Sequence, residues 1–211
     1  MLAELLAHAG VTEELVVGTR FGLMAFHGGN LERGTDDIAA AAAERAGASL
    51  YAVRQPPDLR WHIPSLEFRP EASERLAAFL GHVEVAVAVH GYGREGLWTT
   101  LLLGGRNRSL ASTLAAELRA ALGDGFTVLD DLDAIPPELR GVHARNPVNR
   151  PPLHGVQLEL PPRVRRHTGV PTFDPAWEEA IVAALGRVAG TWTSASSPRP
   201  GAARPATAPS G

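Results

Sequence analysis

The chain has 211 residues with no cysteine and no lysine, so all 20 basic residues are arginine, and its formal net charge is −3. A 45% hydrophobic content at this length supplies one globular domain with a sizeable core. The composition excludes disulfides, thiolate nucleophiles, cysteine zinc fingers, lysine Schiff bases and a P-loop lysine, and its acidic balance argues against nucleic acid as partner. The opening Met1-Leu2-Ala3-Glu4-Leu5 lacks the basic region of a signal peptide, and no apolar run approaches the ~18 residues of a membrane span. The expectation is a cytoplasmic, soluble monomer without membrane contact.

Taken in chain order, residues 2–15 read as a short amphipathic helix or ordered lead-in. Val16-Val17-Gly18 and Phe21 to Phe26 read as strands split by a polar turn. Thr35 is the expected N-cap of a helix running to Arg45, with Asp36 and Asp37 at the positive end of its dipole and Gly47 beyond its end. Ser49 to Val53 is a strand, and 71–80 is a helix stopping at Gly81. The apolar run Val83 to Val89 is a strand ending at His90. Trp98 to Leu103 reads as a strand, Ser109 to Leu122 as a helix, and Phe126 to Leu129 as a strand. A Pro- and Arg-rich connection over 130–153 leads to the strand Gly155 to Leu160, and Pro175 opens a last helix to about Ala189.

Strands alternating with helices predict an α/β domain over 1–192, a mixed open sheet with helices on both faces. From about Thr193 the chain turns to Ser, Ala, Pro and Gly, and 193–211 reads as a disordered tail.

Two places carry chemistry. Gly22-Leu23-Met24-Ala25-Phe26 leads into His27-Gly28-Gly29-Asn30-Leu31-Glu32-Arg33-Gly34-Thr35, which sets a histidine and a glutamate in a Gly-rich turn at a strand end. The later strand delivers His90 into Gly91-Tyr92-Gly93 in the same manner. Ligands of open α/β sheets bind at that edge. Two histidines and a carboxylate are the protein half of a catalytic zinc site with an open position. A histidine after a strand can equally be a hydrogen-bonded structural residue, and spacing alone leaves both readings open. Alternation places Gln157 and Glu159 on one face of their strand, opposite Val156, Leu158 and Leu160, either at a site or on a solvated outer face.

The stretch from His27 to Thr35, with Ile38-Ala39, resembles the H-G-G-x-I-E-x-G-T signature of the poly-γ-glutamate hydrolase family, phage-associated zinc hydrolases with a carboxypeptidase-like α/β fold. His90-Gly91 is similar to the family's second H-G element, and Gly104-Gly105-Arg106-Asn107 to its following G-G turn. Asn146-Pro147-Val148-Asn149-Arg150 and Gly155 to Leu160 resemble its N-x-x-N-R and G-x-Q-L-E-L elements. The shared order spans about residues 20–165. Asn30 and Tyr92 depart from the pattern, and both are expected to line the pocket.

The resemblance implies one zinc ion held by His27, Glu32 and His90, and a metal-activated water as nucleophile. It implies a glutamate general base on a strand beside the metal, for which Glu159 is the candidate. The implied reaction is hydrolysis of amide bonds, foremost the γ-glutamyl linkages of poly-γ-glutamate. An acidic substrate needs cationic partners, and with no lysine these must be guanidinium groups. Arg106, Arg145 and Arg150 are the candidates, with Ser65 lining the pocket.

Arg163, Arg165 and Arg166 read as a solvated charge cluster. His62 reads as structural, and His8, His82, His143, His154 and His167 have no supporting constellation. Asp37 reads as a partner to a ligating histidine or as a helix-dipole residue. The alternatives are the same metal chemistry on another acidic acyl-amino acid or peptide, and a non-catalytic metal- or anion-binding module.

Overall fold

The computed structural model describes residues 1–165 and 173–192; the expected tail 193–211, together with Arg166 and His167, lies outside the described residues. Seven strands form one sheet in the order β1-β3-β2-β4-β7-β5-β6, made of Thr12–Val16 (β1), Phe21–Gly29 (β2), Ser49–Gln55 (β3), Val85–Gly91 (β4), Thr100–Leu103 (β5), Thr127–Leu129 (β6) and Gly155–Leu160 (β7). The central strands β3, β2, β4 and β7 run parallel. β1 joins β3 antiparallel, β5 joins β7 antiparallel, and β6 is parallel to β5.

Helices cover both faces of this mixed α/β sheet. On one face lie α2 (Thr35–Ala46), α4 (Arg108–Leu122) and α5 (Pro175–Thr191), with α5 between the other two. On the other lie α1 (Leu2–Leu6) and α3 (Glu74–His82). The alternation in β4 sorts its side chains between the faces. Val85, Val87 and Val89 pack toward α2, α4 and α5, and Ala86 and Ala88 toward the opposite cluster. A strand buried on both faces needs this near-continuous apolar run.

Several local expectations change. The lead-in over 2–15 is a five-residue helix followed by the edge strand β1, because residues 12–16 pair with β3. Gly34, at φ 84°, caps α2 in place of Thr35, whose hydroxyl instead donates back to the Glu32 carbonyl at 2.7 Å. α3 starts at Glu74, where the Ser73 hydroxyl accepts from Leu76 N–H, and it runs through Gly81. Asn107 caps α4 in the same way, accepting from Leu110 N–H at 2.9 Å. No described helix is long and apolar enough to cross a membrane.

Candidate active site

The ends of β2, β4 and β7 meet along one edge of the sheet, on the face away from α2, α4 and α5. His90 and Glu159 are register partners there. Glu159 is 5% exposed and lies opposite Val156, Leu158 and Leu160, which belong to the helix-covered core. The strand alternation is as expected, and the solvated outer face is excluded. His27 needs a distortion to join them, since strict alternation would send it to the face opposite Phe26. The pairing of β2 with β3 shifts register between Ala25 and Gly28, and this irregularity re-aims the side chain. The His27 ring stands 5.2 Å from the His90 ring and 4.8 Å from that of His62.

Glu32 ties two of these turns together. Its N–H donates to the His27 carbonyl at 2.8 Å, and its carboxylate accepts from Gly91 N–H at 2.9 Å. The same carboxylate faces His27 Nδ1 at 2.8 Å and His90 Nδ1 at 3.5 Å. Burial alone would raise Glu32, but the charges and hydrogen bonds of His27 and His90 outweigh it and hold the carboxyl far below the usual carboxylate range. Burial pulls the His90 imidazole down, while the hydrogen bond and charge of Glu32, with the charge of Glu159, carry it up overall.

The donors suit a cation. His27 Nε2 meets the Ile63 carbonyl at 2.8 Å, which can only accept, so that nitrogen bears a proton. Nδ1 then presents a lone pair to a carboxylate oxygen, a contact that needs a positive charge, proton or metal, between them. An acceptor holding the far ring nitrogen is the usual support of a metal-ligating histidine. That acceptor is Ile63, and the expected Asp37 does not take the role. His90 Nε2 is buried and has no hydrogen-bond partner among the described residues. His27, Glu32 and His62 each offer one ligand atom within 4.8 Å of the others, a group able to hold a metal ion.

His62, which the sequence reads as structural, stands at the site beside His27. It follows β3, which is parallel to β2, so its turn reaches the same edge of the sheet. Its setting after a parallel strand was the available signal. Burial and the charges of His27 and His90 lower its imidazole, against the charge of Glu32.

Glu159 ends a chain of amides. Asn146 Nδ2 donates to Gln157 Oε1 at 2.7 Å, and Gln157 Nε2 donates to Glu159 Oε1 at 2.8 Å. Burial and the charge of Glu32 raise the Glu159 carboxyl, against the opposing effects of His90 and Gln157. A carboxyl raised by its surroundings holds a proton more readily than an ordinary one, as a general base that must also return the proton requires.

A cavity of about 730 Å³ opens over these groups, lined also by Ser65 and Tyr92. The Tyr92 hydroxyl is turned away to donate to the Thr100 carbonyl at 2.6 Å. Asn30 does not line it; its amide is spent on the carbonyls of Pro57 and Leu59.

The arginine expectations need correction, for none of Arg106, Arg145 and Arg150 lines the cavity. Arg106 follows β5, which is antiparallel to β7, so its turn emerges at the opposite edge of the sheet. Arg145 and Arg150 are exposed on the segment that precedes β7. Among the described residues the arginines that line the cavity are Arg60 and Arg165. Arg165 is buried at 3% exposure, where a solvated cluster was expected.

No curated protein matches the chain. Among solved structures it is similar to a bacteriophage poly-gamma-glutamate hydrolase, at 22% identity and TM-score 0.66, covering 89% of this chain and 94% of that one. It is also similar to the zinc-free form of YNDL, at 21% identity and TM-score 0.64, covering 84% and 88%. N-formylglutamate amidohydrolase from Ralstonia eutropha JMP134 matches at 13% identity and TM-score 0.54, covering 86% and 97%. At such identities the likeness establishes the fold. The poly-gamma-glutamate hydrolase family model matches residues 5–169, and the chain therefore belongs to that family and is a hydrolase.

Proposed function

We propose that this hydrolase cleaves γ-glutamyl amide bonds of poly-γ-glutamate, using one zinc ion held by His27, Glu32 and His90 and Glu159 as general base. The observation that carries the reading is the convergence of Glu32 on the Nδ1 atoms of both histidines, beside a buried His90 Nε2 that has no hydrogen-bond partner among the described residues. Zinc bound by such a set polarises a carbonyl and makes water a better nucleophile at neutral pH.

The chain's own groups do the rest. Glu159 accepts the proton of the attacking water and returns it to the departing amine. Gln157 and Asn146 hold that carboxylate toward the cavity through their amide chain. Glu32 is immobilised by Gly91 and His27, so the ligand set is preorganised by two strand ends. His62 is exposed and loop-borne, whereas His90 is buried at a strand end. We therefore place His62 on the substrate side of the cavity and His90 among the ligands.

Metal analysis of purified protein, paired with poly-γ-glutamate digestion, tests the assignment. Near-stoichiometric zinc is expected in the parent and in His62→Ala, and its loss, with loss of digestion, in His27→Ala and His90→Ala. Zinc held as tightly by both of the latter variants as by the parent would overturn the ligand set.

A further inference from the structure

Arg165 is a buried cation with no direct ion pair among the described residues. Burial disfavours its charge, and Glu32 and Glu159 favour it only from beyond ion-pair distance. Its guanidinium donates from Nε to the Leu160 carbonyl at 3.2 Å and from Nη2 to the Tyr92 carbonyl at 3.1 Å, with a longer approach from Nη1 to the Arg33 carbonyl at 3.5 Å. These carbonyls stand on the turns that follow Glu159, His90 and Glu32. The group lies flat on Gly91, where a Cβ would come within 2.6 Å of its Cζ. Neutral carbonyls orient a charge but do not neutralise it, and a buried charge is costly unless paired. The donor fork of Arg165 is only partly used, and its side chain lines the cavity.

Arg60 lines the same cavity from its rim. It is exposed and makes no hydrogen bond or ion pair among the described residues, and its charge adds a smaller disfavouring effect on Arg165 to that of burial. The acid on this rim, Glu138, is already paired with Arg94. Among the described residues the unpaired formal charge of the cavity wall, away from the proposed ligands and base, is thus positive and carried by two arginines.

We propose that Arg165 and Arg60 form a carboxylate-binding subsite that selects the substrate, an assignment that rests on the function proposed above. In a γ-linked glutamyl chain the carbon bearing each amide nitrogen also carries a free carboxylate. In the interior of an α-linked chain that carbon carries the next amide instead. Arg165 receives this carboxylate on its unused donors, which supplies a direct ion-pair partner, and Arg60 closes over it from the rim. The subsite admits interior bonds of a γ-linked polymer and rejects interior bonds of an α-linked one.

The test compares zinc-loaded parent, Arg60→Ala and Arg165→Lys on a γ-linked glutamate oligomer and on the same oligomer with its α-carboxylates converted to primary amides. The parent is expected to favour the acidic oligomer. Losing a charge-assisted hydrogen bond is expected to raise KM for that oligomer about 10- to 100-fold, with much smaller effects on the amidated one and no change in zinc content. Arg60→Ala alters an exposed side chain without hydrogen bonds, so it decides the matter alone if Arg165→Lys fails to fold. Equal turnover of both oligomers by the parent, or equal losses on both in Arg60→Ala, would overturn the subsite while leaving the proposed function standing. A parent that cleaves neither oligomer would overturn the proposed function, and the subsite with it.

Discussion

Two turns that look alike in the sequence end at opposite edges of the sheet. Val89-His90-Gly91 closes β4, and Leu103-Gly104-Gly105-Arg106 follows β5, each an apolar strand that delivers a polar side chain into glycine. β4 runs with β2 and β7, so His90 arrives beside His27 and Glu159. β5 runs against β7, so its turn returns to the start of that strand, where Asn107 N–H donates to the Gly155 carbonyl. A strand-to-glycine motif therefore identifies a turn, and strand direction decides which edge receives it. Only residues 92–99 link β4 to β5. That is shorter than the dozen or so residues a parallel crossover requires, so the reversal was legible in the connection length though not in the motif.

The largest effect is expected where the parallel half places a carboxylate opposite His90. Glu159→Gln keeps the shape of the side chain but cannot accept a proton. Folding and zinc content should survive, and kcat on poly-γ-glutamate should fall about 10²- to 10⁴-fold, the usual scale for a lost acid–base group. Retention of most activity in steady-state assays would move the base elsewhere; Asp36, Asp37 and Glu95, the other acids the sequence offered, do not line the cavity.

A pair of glycine substitutions sharpens the contrast between the edges. Gly29 (φ +70°) and Gly105 (φ +84°) both take left-handed backbone, and a Cβ would lie 2.2 Å from the Gln55 carbonyl oxygen at the first and 2.3 Å from that of Gly155 at the second. Alanine at either should destabilise the fold by about 3 kcal/mol or more, combining left-handed strain with overpacking against backbone. Gly29 sits in the turn between His27 and Glu32, so Gly29→Ala should also weaken zinc binding. Gly105→Ala should not. Denaturant melts and zinc titrations of the two variants below their transitions check this, and equal zinc losses would show that the two edges are energetically coupled.

The parallel half was largely legible. Period-two alternation placed Glu159 on the face opposite the Val156–Leu160 core, and the apolar runs of β2 and β4 located both histidines at strand ends. What escaped was determined by pairing and by distant packing. The register shift beside His27 lies in the pairing of β2 with β3, which the local sequence of β2 does not display. The turn after β3 reaches the site because β3 is parallel to β2, so His62 is a neighbour of His27 though 35 positions away. Arg165 looked like part of a solvated run, since nothing in its local sequence shows that three turns supply carbonyls to it. Hydrophobic patterning reports which face a residue takes. It does not report which loops a long side chain can span.

The smallest expected effect is the most direct test of strand direction. Arg106 was the natural choice for binding an acidic substrate while its turn was taken to share an edge with His90. In the structure its N–H donates to Asn149 Oδ1, and its exposed side chain borders a separate surface recess with Trp192 and Leu153. An exposed guanidinium at the far edge contributes only a screened, long-range attraction to a polyanion, which fades beyond the Debye length of ~8 Å at physiological salt. Arg106→Ala should therefore leave kcat and KM for poly-γ-glutamate within about twofold of the parent at that ionic strength. Its stability should change by no more than about 0.5 kcal/mol, as is usual for an exposed side chain. A KM increase comparable to that of Arg60→Ala would mean that the polymer wraps the sheet from one edge to the other, and the separation drawn between the two turns would fail.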